Sequence, residues 1–334
     1  MKIRCKICGL PENYTGISFD EEGVCNFCNF YAENREILED SEKLEGIFRQ
    51  KMENAKQRAR ENGAKYDCLV GFSGGKDSTY IIQQLKDVYG MRVLAFTFQN
   101  SFSTEYGQKN IENALKKMHV DHVSFSTNSS EMKKMYKFGV NFLKNFCWVC
   151  FHYMHYYSYL FAGQNKIPLI VNGRTRGQML QSAQDKKFLE PFETAHSLLE
   201  FEHQMFHGLE EKLWKQEELD YLGDTDIEAV SYFAYHDISD EEVMCTLEKS
   251  IGWTRPKFAH DDCFAHAVAE NLNIHKCGFP KRQGELAVEV RRGKLTVAEM
   301  DRILERDMIH YSSVPEETKK RFERRMDERN KAAV

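Results

Sequence analysis

The sequence has no long apolar run. Nowhere in its 334 residues do 18 consecutive apolar side chains occur, so no segment reads as a membrane-spanning helix. The first residues, Met1-Lys2-Ile3-Arg4-Cys5, lack the apolar stretch of a signal peptide, and a cytoplasmic protein without a membrane partner is expected. An excess of charge of one sign is also missing. Forty-six basic against 51 acidic side chains give −5, which argues against a broad nonspecific nucleic-acid surface but would hide a local basic patch. Finally, the phosphate loop of the common nucleotide triphosphatases is absent: its first glycine stands five places ahead of its second, and here Gly71 stands four ahead of Gly75.

Cysteine, by contrast, is plentiful, at ten residues. In a reducing compartment these read as metal ligands plus a few core residues rather than as disulfides. Cys5-Lys6-Ile7-Cys8 and Cys25-Asn26-Phe27-Cys28 are two CxxC pairs with Pro11, Gly16 and Gly23 between them. Two such knuckles can bring four thiolates to a tetrahedral Zn²⁺, whose binding supplies the folding energy that so short a segment cannot gain from burial. A redox CxxC is the competing use, and two pairs separated by turn residues suit a closed structural site better. A zinc ribbon is therefore expected over residues 1–30, followed by a connecting helix over 31–65.

The stretch from Tyr66 to Ser78 reads as a short buried strand, a turn with two adjacent glycines, and a helix beginning at Thr79-Tyr80-Ile81. Paired glycines let backbone pass close to a bulky anion, and the free amides at a helix start face that anion with a favourable dipole. A phosphate site is expected. Further alternation follows, with strands at 92–98, 122–125 and 167–172 and helices between them, including 131–143 and 151–164. This predicts an α/β fold, a parallel sheet with helices on both faces, spanning 66–185, with ligands beyond the carboxyl ends of the strands. Residues 186–334 read as a mostly helical region covering the substrate pocket and forming the C-terminus.

Ser73-Gly74-Gly75-Lys76-Asp77-Ser78 resembles, position for position, the pyrophosphate loop of the ATP pyrophosphatase (PP-loop) family. The resemblance implies an adenine nucleotide α-hydrolase-like fold and an enzyme that splits ATP between its α and β phosphates. Such an enzyme transfers AMP to a substrate oxygen and lets a nitrogen or sulfur nucleophile displace it. ATP and Mg²⁺ are the implied cofactors. Phe72, Ser73, Gly74, Gly75, Lys76, Asp77, Ser78, Thr97, Gly173 and Arg174 are the expected nucleotide positions, with Lys76 on the departing pyrophosphate and Asp77 orienting the loop or touching the metal. Thr97 to Asn100 are candidates to line the adenosine pocket, and Arg174 and Arg176 to clamp a phosphate or carboxylate.

Cys147-Trp148-Val149-Cys150, followed by a helix, a strand and the turn at Gly173, is similar to the segment that holds a [4Fe-4S] cluster in the PP-loop enzymes that thiolate tRNA. That resemblance implies a third thiolate after a further helical stretch; Cys277 is the expected ligand and Cys263 the alternate, with Cys147, Cys150 and Cys277 catalytic. Both ends of the chain instead resemble the N-acetyl sugar amidotransferases, at Thr15 to Cys25 and at Arg291 to Met300. Those enzymes lack the central CxxC and carry Gly-Glu-Asn where this chain has Gly173-Arg174-Thr175. Three functions are thus in view: ATP-dependent sulfur transfer, ammonia-dependent amidation of an N-acetyl sugar, and nucleotide binding by a non-enzymatic regulator. The expected partners are a small-molecule or RNA acceptor and either a sulfur donor or a glutaminase, with homodimerisation open. Cys68 and Cys245 read as core residues. His203 and His207, at i and i+4, could share a helix face and a metal, although no third ligand stands at a suitable spacing.

Overall fold

The computed structural model describes residues 3–127, 129–143, 146–181, 194–197, 199–200, 216–223, 225–255 and 262–326. At its centre lie five short strands, β1 (Cys68–Gly71), β2 (Val93–Phe98), β3 (Asp121–Phe125), β4 (Leu169–Asn172) and β5 (Glu228–Ser231). All pair in parallel, in the order β3-β2-β1-β4-β5. The chain winds outward from β1 to β3 on one side, then crosses back and lays β4 and β5 on the other. The switch in direction falls between β1 and β4, where the carboxyl ends of neighbouring strands open a crevice.

Alternate residues of each strand serve opposite layers, and both layers are apolar. Val70, Ala95, Val171 and Val230 pack with α2 (Ser41–Glu61), α3 (Lys76–Asp87), α4 (Glu105–Met118) and α10 (Asp240–Ile251). Leu69, Leu94, Phe96 and Ile170 pack with α5 (Ser129–Phe138), α6 (Cys147–Gln164) and the start of α11 (His266–Cys277). Burial on two faces explains why the strands read as unbroken apolar runs. Cys68 is fully enclosed in the first of these cores. Cys245, expected there too, is half-exposed on α10 beside Glu241 and Arg255.

Several boundaries differ from the expectation. Residues 31–65 hold two helices rather than one, α1 (Asn26–Glu39) and α2, broken at Asp40, whose carboxylate caps α2 by accepting from the Lys43 amide. The helix expected over 131–143 ends at Phe138 and continues as one wide π turn over Gly139–Leu143. Strand β5 lies inside 186–334, the region read as mostly helical, so the sheet extends past the expected boundary at 185. His203 and His207 lie outside the described residues. His236 is packed, stacking on Tyr232 and bonding Glu45 at 2.7 Å and Tyr89 at 2.9 Å.

The N-terminal Cys₄ module docks on the far end of the chain. Leu10, Phe27 and the four cysteines share a core with Leu286 and Ala287 of α12 (Gln283–Arg291) and Met300 and Leu304 of α13 (Val297–Tyr311). Arg4 closes the contact with a two-pronged bond to Asp301 at 2.7 and 3.0 Å. Deeper in, Arg292 joins Glu39 of α1, Asp237 and Glu289 through its whole guanidinium. Among the described residues no helix is long and apolar enough to cross a membrane.

Candidate active site

The double-glycine loop leaves β1 at Gly71 and enters α3 at Lys76, on the crevice edge. Gly74 has φ +79°, and a Cβ there would meet the Gly107 carbonyl oxygen at 2.5 Å, so only glycine fits. The loop closes on its own hydroxyls: the Ser73 amide donates to Ser78 Oγ at 3.3 Å, the Gly75 amide to Ser73 Oγ at 3.2 Å, and Thr79 Oγ1 to the Gly75 carbonyl at 2.7 Å. Trp253 pins it from outside through Nε1–H to the Gly74 carbonyl.

Lys76 Nζ stands 2.6 Å from Asp77 Oδ1 and 3.0 Å from Asp240 Oδ1. Burial works to lower the ammonium's pKa, but these two carboxylates hold it above its ordinary value, so it stays charged. The Asp77 and Asp240 carboxylates are also the groups at this point able to take Mg²⁺. Gly173, after β4, packs over Asp77 at a spacing that leaves a Cβ 3.2 Å from the Asp77 Cβ. Phe72 and Thr97 lie beneath the loop. The Thr97 hydroxyl donates to the Phe72 carbonyl at 2.6 Å and lies 2.8 Å from His122 Nε2, which fastens β1 to β2.

The second cluster of candidates sits along the same edge. Cys147 and Cys150 fall inside the first turn of α6 rather than ahead of it. Cys150 Sγ lies 3.1 Å from the Tyr136 hydroxyl and accepts from Asn100 Nδ2 at 3.8 Å; burial pushes its thiol up to about 12. Cys263 bridges to Ser103 in an antiparallel pair, and its thiol, raised by burial, is raised further by Cys150 and Cys147 nearby. Cys277 is elsewhere. It ends α11, turns its thiol to Asn273 at 3.8 Å, and its carbonyl accepts from Asn13 of the N-terminal module. Cys263 and Cys277 flank opposite ends of a 12-residue helix, roughly 18 Å of rise, so one site cannot take both. Of the two, Cys263 is the one whose thiol interacts electrostatically with Cys147 and Cys150.

Asp262 and Cys263 join the halves of the site. The carboxylate of Asp262 comes within 3.7 Å of where a Cβ on Gly75 would stand, and the adjacent thiol faces the CxxC pair. Three thiols in this arrangement form a soft donor set. They are not within 4.8 Å of one another, unlike the N-terminal four.

Residues 281–285 form a wall that motif reading missed. Lys281 Nζ stands 3.4 Å from Cys147 Sγ, and its amide donates to the buried Glu270 at 3.1 Å. Glu285, which packs against Gly177, is raised by burial to about 7, although Arg282, Gln178 and Lys76 all draw it down. The signal available in the sequence was Lys281-Arg282 running directly into Glu285 at a helix start, which is too common a pattern to single out. His155, two turns into α6, donates Nδ1–H to the Phe151 carbonyl at 2.8 Å; burial lowers it to about 4, with Arg174 adding to the effect, so its ring is neutral. Arg176, a candidate clamp, points inward. It is buried, with Nε donating to the Ala234 carbonyl at 3.2 Å and Nη1 3.6 Å from Glu39.

At the N-terminal module, Cys5 Sγ and Cys28 Sγ are 3.8 Å apart and Cys8 Sγ and Cys25 Sγ 3.6 Å, with all four buried. A tetrahedron with metal–sulfur bonds of about 2.3 Å has edges of about 3.8 Å, so the donor set fits one ion of the zinc kind. Arg291 of α12 reaches Cys8 Sγ at 3.7 Å and lies over the Phe27 ring. Helix α12 therefore carries Glu285 toward Lys76 and Arg291 toward the four thiols.

No family model matches the chain. An uncharacterised protein of Methanocaldococcus jannaschii is 24% identical over 120 residues, 36% of this chain and 41% of that protein, so the match spans less than half of the relative. Three solved structures overlay loosely. The U34-tRNA thiolase NcsA of Methanococcus maripaludis, with its [4Fe-4S] cluster, has TM-score 0.36 and 14% identity over 91% of this chain and 89% of its own. The NH₃-dependent NAD synthetase of Campylobacter jejuni has TM-score 0.39 and 11% identity over 83% and 98%. The NMN synthetase of Francisella tularensis has TM-score 0.30 and 13% identity over 64% and 98%. All three are members of the PP-loop superfamily that the Ser73 to Ser78 loop resembles.

Proposed function

We propose that this chain uses ATP to activate an acceptor oxygen and then replaces that oxygen with sulfur. One observation carries the reading: Asp262 lies beside the glycine loop while Cys263, adjacent to it in the chain, pairs with Ser103 of the same loop whose Asn100 bonds Cys150. The physical task is to turn a carbonyl-type oxygen into a leaving group. The acceptor oxygen attacks the α-phosphorus, the α–β bridging P–O bond breaks, and pyrophosphate departs with the electron pair. Lys76 and the amides at the start of α3 take up that charge, with Mg²⁺ at Asp77 and Asp240. The acceptor carbon then gains a C–S bond as its C–O bond to AMP breaks.

Cys147, Cys150 and Cys263 would hold an iron–sulfur cluster, which would supply the sulfur that displaces AMP. Lys281 sets a positive charge against Cys147. Cys5, Cys8, Cys25 and Cys28 would hold Zn²⁺ in a structural role. A separate sulfur donor completes the cycle.

A second reading rests on its own observation. The two chain ends that resemble the sugar amidotransferases pack into one core, at Cys5 to Phe27 against Leu286 to Leu304. In that reading ammonia from a glutaminase partner displaces AMP. Anaerobic purification decides between them. Sulfur transfer requires a brown protein with about four irons per chain, retained in Cys277→Ala and lost in Cys147→Ala, Cys150→Ala and Cys263→Ala. A colourless protein containing only zinc would leave amidation. Pyrophosphate exchange into ATP, abolished in Lys76→Ala, tests the step both share; a nucleotide-binding regulator would show none.

A further inference from the structure

Beyond the carboxyl ends of β2 and β3 lies a cavity of about 620 Å³, within the range of roughly 300–1,000 Å³ that small-molecule sites occupy. Its floor is polar and belongs to the thiol site: Asn100 and Tyr136 line it and are the two residues in contact with Cys150 Sγ. Its wall is cationic. Arg321, Arg324 and Arg325 of α14 (Glu316–Met326) and Lys133 of α5 line it, and no Asp or Glu is among the lining residues described. Arginines gathered at one cavity, although each is exposed, give it a field that favours an anionic occupant.

Helix α14 is held firmly for this purpose. Phe322 is buried, stacks on Phe102 at 5.6 Å and meets Phe146, the residue before Cys147, at 5.0 Å. The Arg321 guanidinium sits 4.0 Å above the Phe264 ring, next to Cys263. The anchored helix thus sets three guanidinium groups along the same cavity that opens onto Cys150, Arg324 also donating Nε–H to the Lys320 carbonyl at 3.3 Å. Guanidinium groups in that number match the oxygens of a phosphate group.

We infer that this cavity binds the acceptor, and that the acceptor is a small molecule of about mononucleotide size bearing a phosphate ester. The phosphate would lie on Arg324 and Arg325 while the opposite end meets Asn100 and the thiols. The inference rests on the sulfur-transfer reading for what happens to that end, but not for the phosphate contact itself.

The test is calorimetry on the full chain, purified anaerobically, with saturating α,β-methylene-ATP so that the nucleotide site is filled. The probes are UMP, CMP and hexose phosphates, beside the corresponding nucleosides and free hexoses, and bulk transfer RNA. At least one phosphate ester should bind while its parent does not, with an affinity that falls as salt is raised. The Arg324→Glu/Arg325→Glu variant should weaken it more than about tenfold while changing α,β-methylene-ATP affinity less than about twofold. Binding by no ester, equal binding of ester and parent, binding of RNA alone, or an equal loss of α,β-methylene-ATP affinity in the variant would each overturn the inference. Iron content and pyrophosphate exchange on the same preparations report separately on the sulfur-transfer reading, since ester binding in a colourless protein would sink that reading and leave this site standing.

Discussion

The indole N–H of Trp253 donates to the Gly74 carbonyl at 3.0 Å, across 179 residues of chain, and so fastens the glycine loop to the segment that follows α10. The contact holds the φ +79° turn from outside, alongside the loop's own bonds from Ser73 and Ser78. Trp253→Phe keeps most of the buried surface but leaves that carbonyl without its donor, at a cost of about 1–3 kcal/mol. ATP affinity should fall about five- to a hundredfold, as read by calorimetry, with pyrophosphate exchange reduced in step. Unchanged affinity would mean that the loop holds its shape alone.

Lys281 and Cys147 offer a way to separate the two half-reactions. The ammonium lies 3.4 Å from the thiol and belongs to the wall, not to the nucleotide loop. Lys281→Met should leave pyrophosphate exchange intact and slow the displacement of AMP by about tenfold or more, because a charge-assisted bond of about 1.5–3 kcal/mol is lost. Lys281→Arg should restore part of the rate. Equal loss in both half-reactions would remove Lys281 from the sulfur side.

Glu285 gives stability a pH dependence of definite sign. Burial raises its folded pKa to about 7, above the ordinary glutamate value near 4.5, so the folded state binds the proton more tightly than the unfolded one. The group's contribution is therefore full below the unfolded pKa and is lost as pH rises through 4.5 to 7, by up to about 3 kcal/mol. Glu285→Gln should flatten that slope and be more stable than the parent chain at pH 8 in urea melts. A parallel pH profile for the two proteins would show that Glu285 titrates normally.

The Cys₄ module and the crevice share helix α12, with Arg291 at one side and Glu285 at the other. Stripping the metal with a chelator should therefore raise amide exchange both in residues 3–30 and in 283–311, since about 10–16 kcal/mol of metal-binding energy is folding energy in modules of this kind. Exchange in β1, β2 and β4 should not change. A rise confined to residues 3–30 would show the module to be an independent appendage.

Local chemistry made part of this protein legible from its residues alone. Glycine at 74 is demanded by a backbone turn, the strand before it is an unbroken apolar run and the helix after it is written in a three- to four-residue spacing, so the loop and the parallel sheet could be read directly. Four cysteines in two close pairs announce their tetrahedron because CxxC spacing is itself the geometry. The stretch around β5 was harder, because Glu228-Ala229-Val230-Ser231, with two apolar residues beside aromatic neighbours, carries no period that separates a short edge strand from a buried helix.

The choice between Cys263 and Cys277 lay beyond any local rule. Both follow suitable helical signals, and which one meets Cys147 depends on the end of α11 that faces the sheet, a matter of how a helix packs rather than of what it contains. The same holds for Arg176, drawn inward by Glu39, for Lys281 and Glu285, and for the three arginines that α14 brings over Asn100 and Tyr136 from more than 180 residues away. Sequence alone decided the loop, the layers and the metal-binding pairs, since each is specified by neighbours a few residues apart. Only the tertiary structure decided which distant side chains share a crevice, because that is set by the burial of whole helix faces against one sheet.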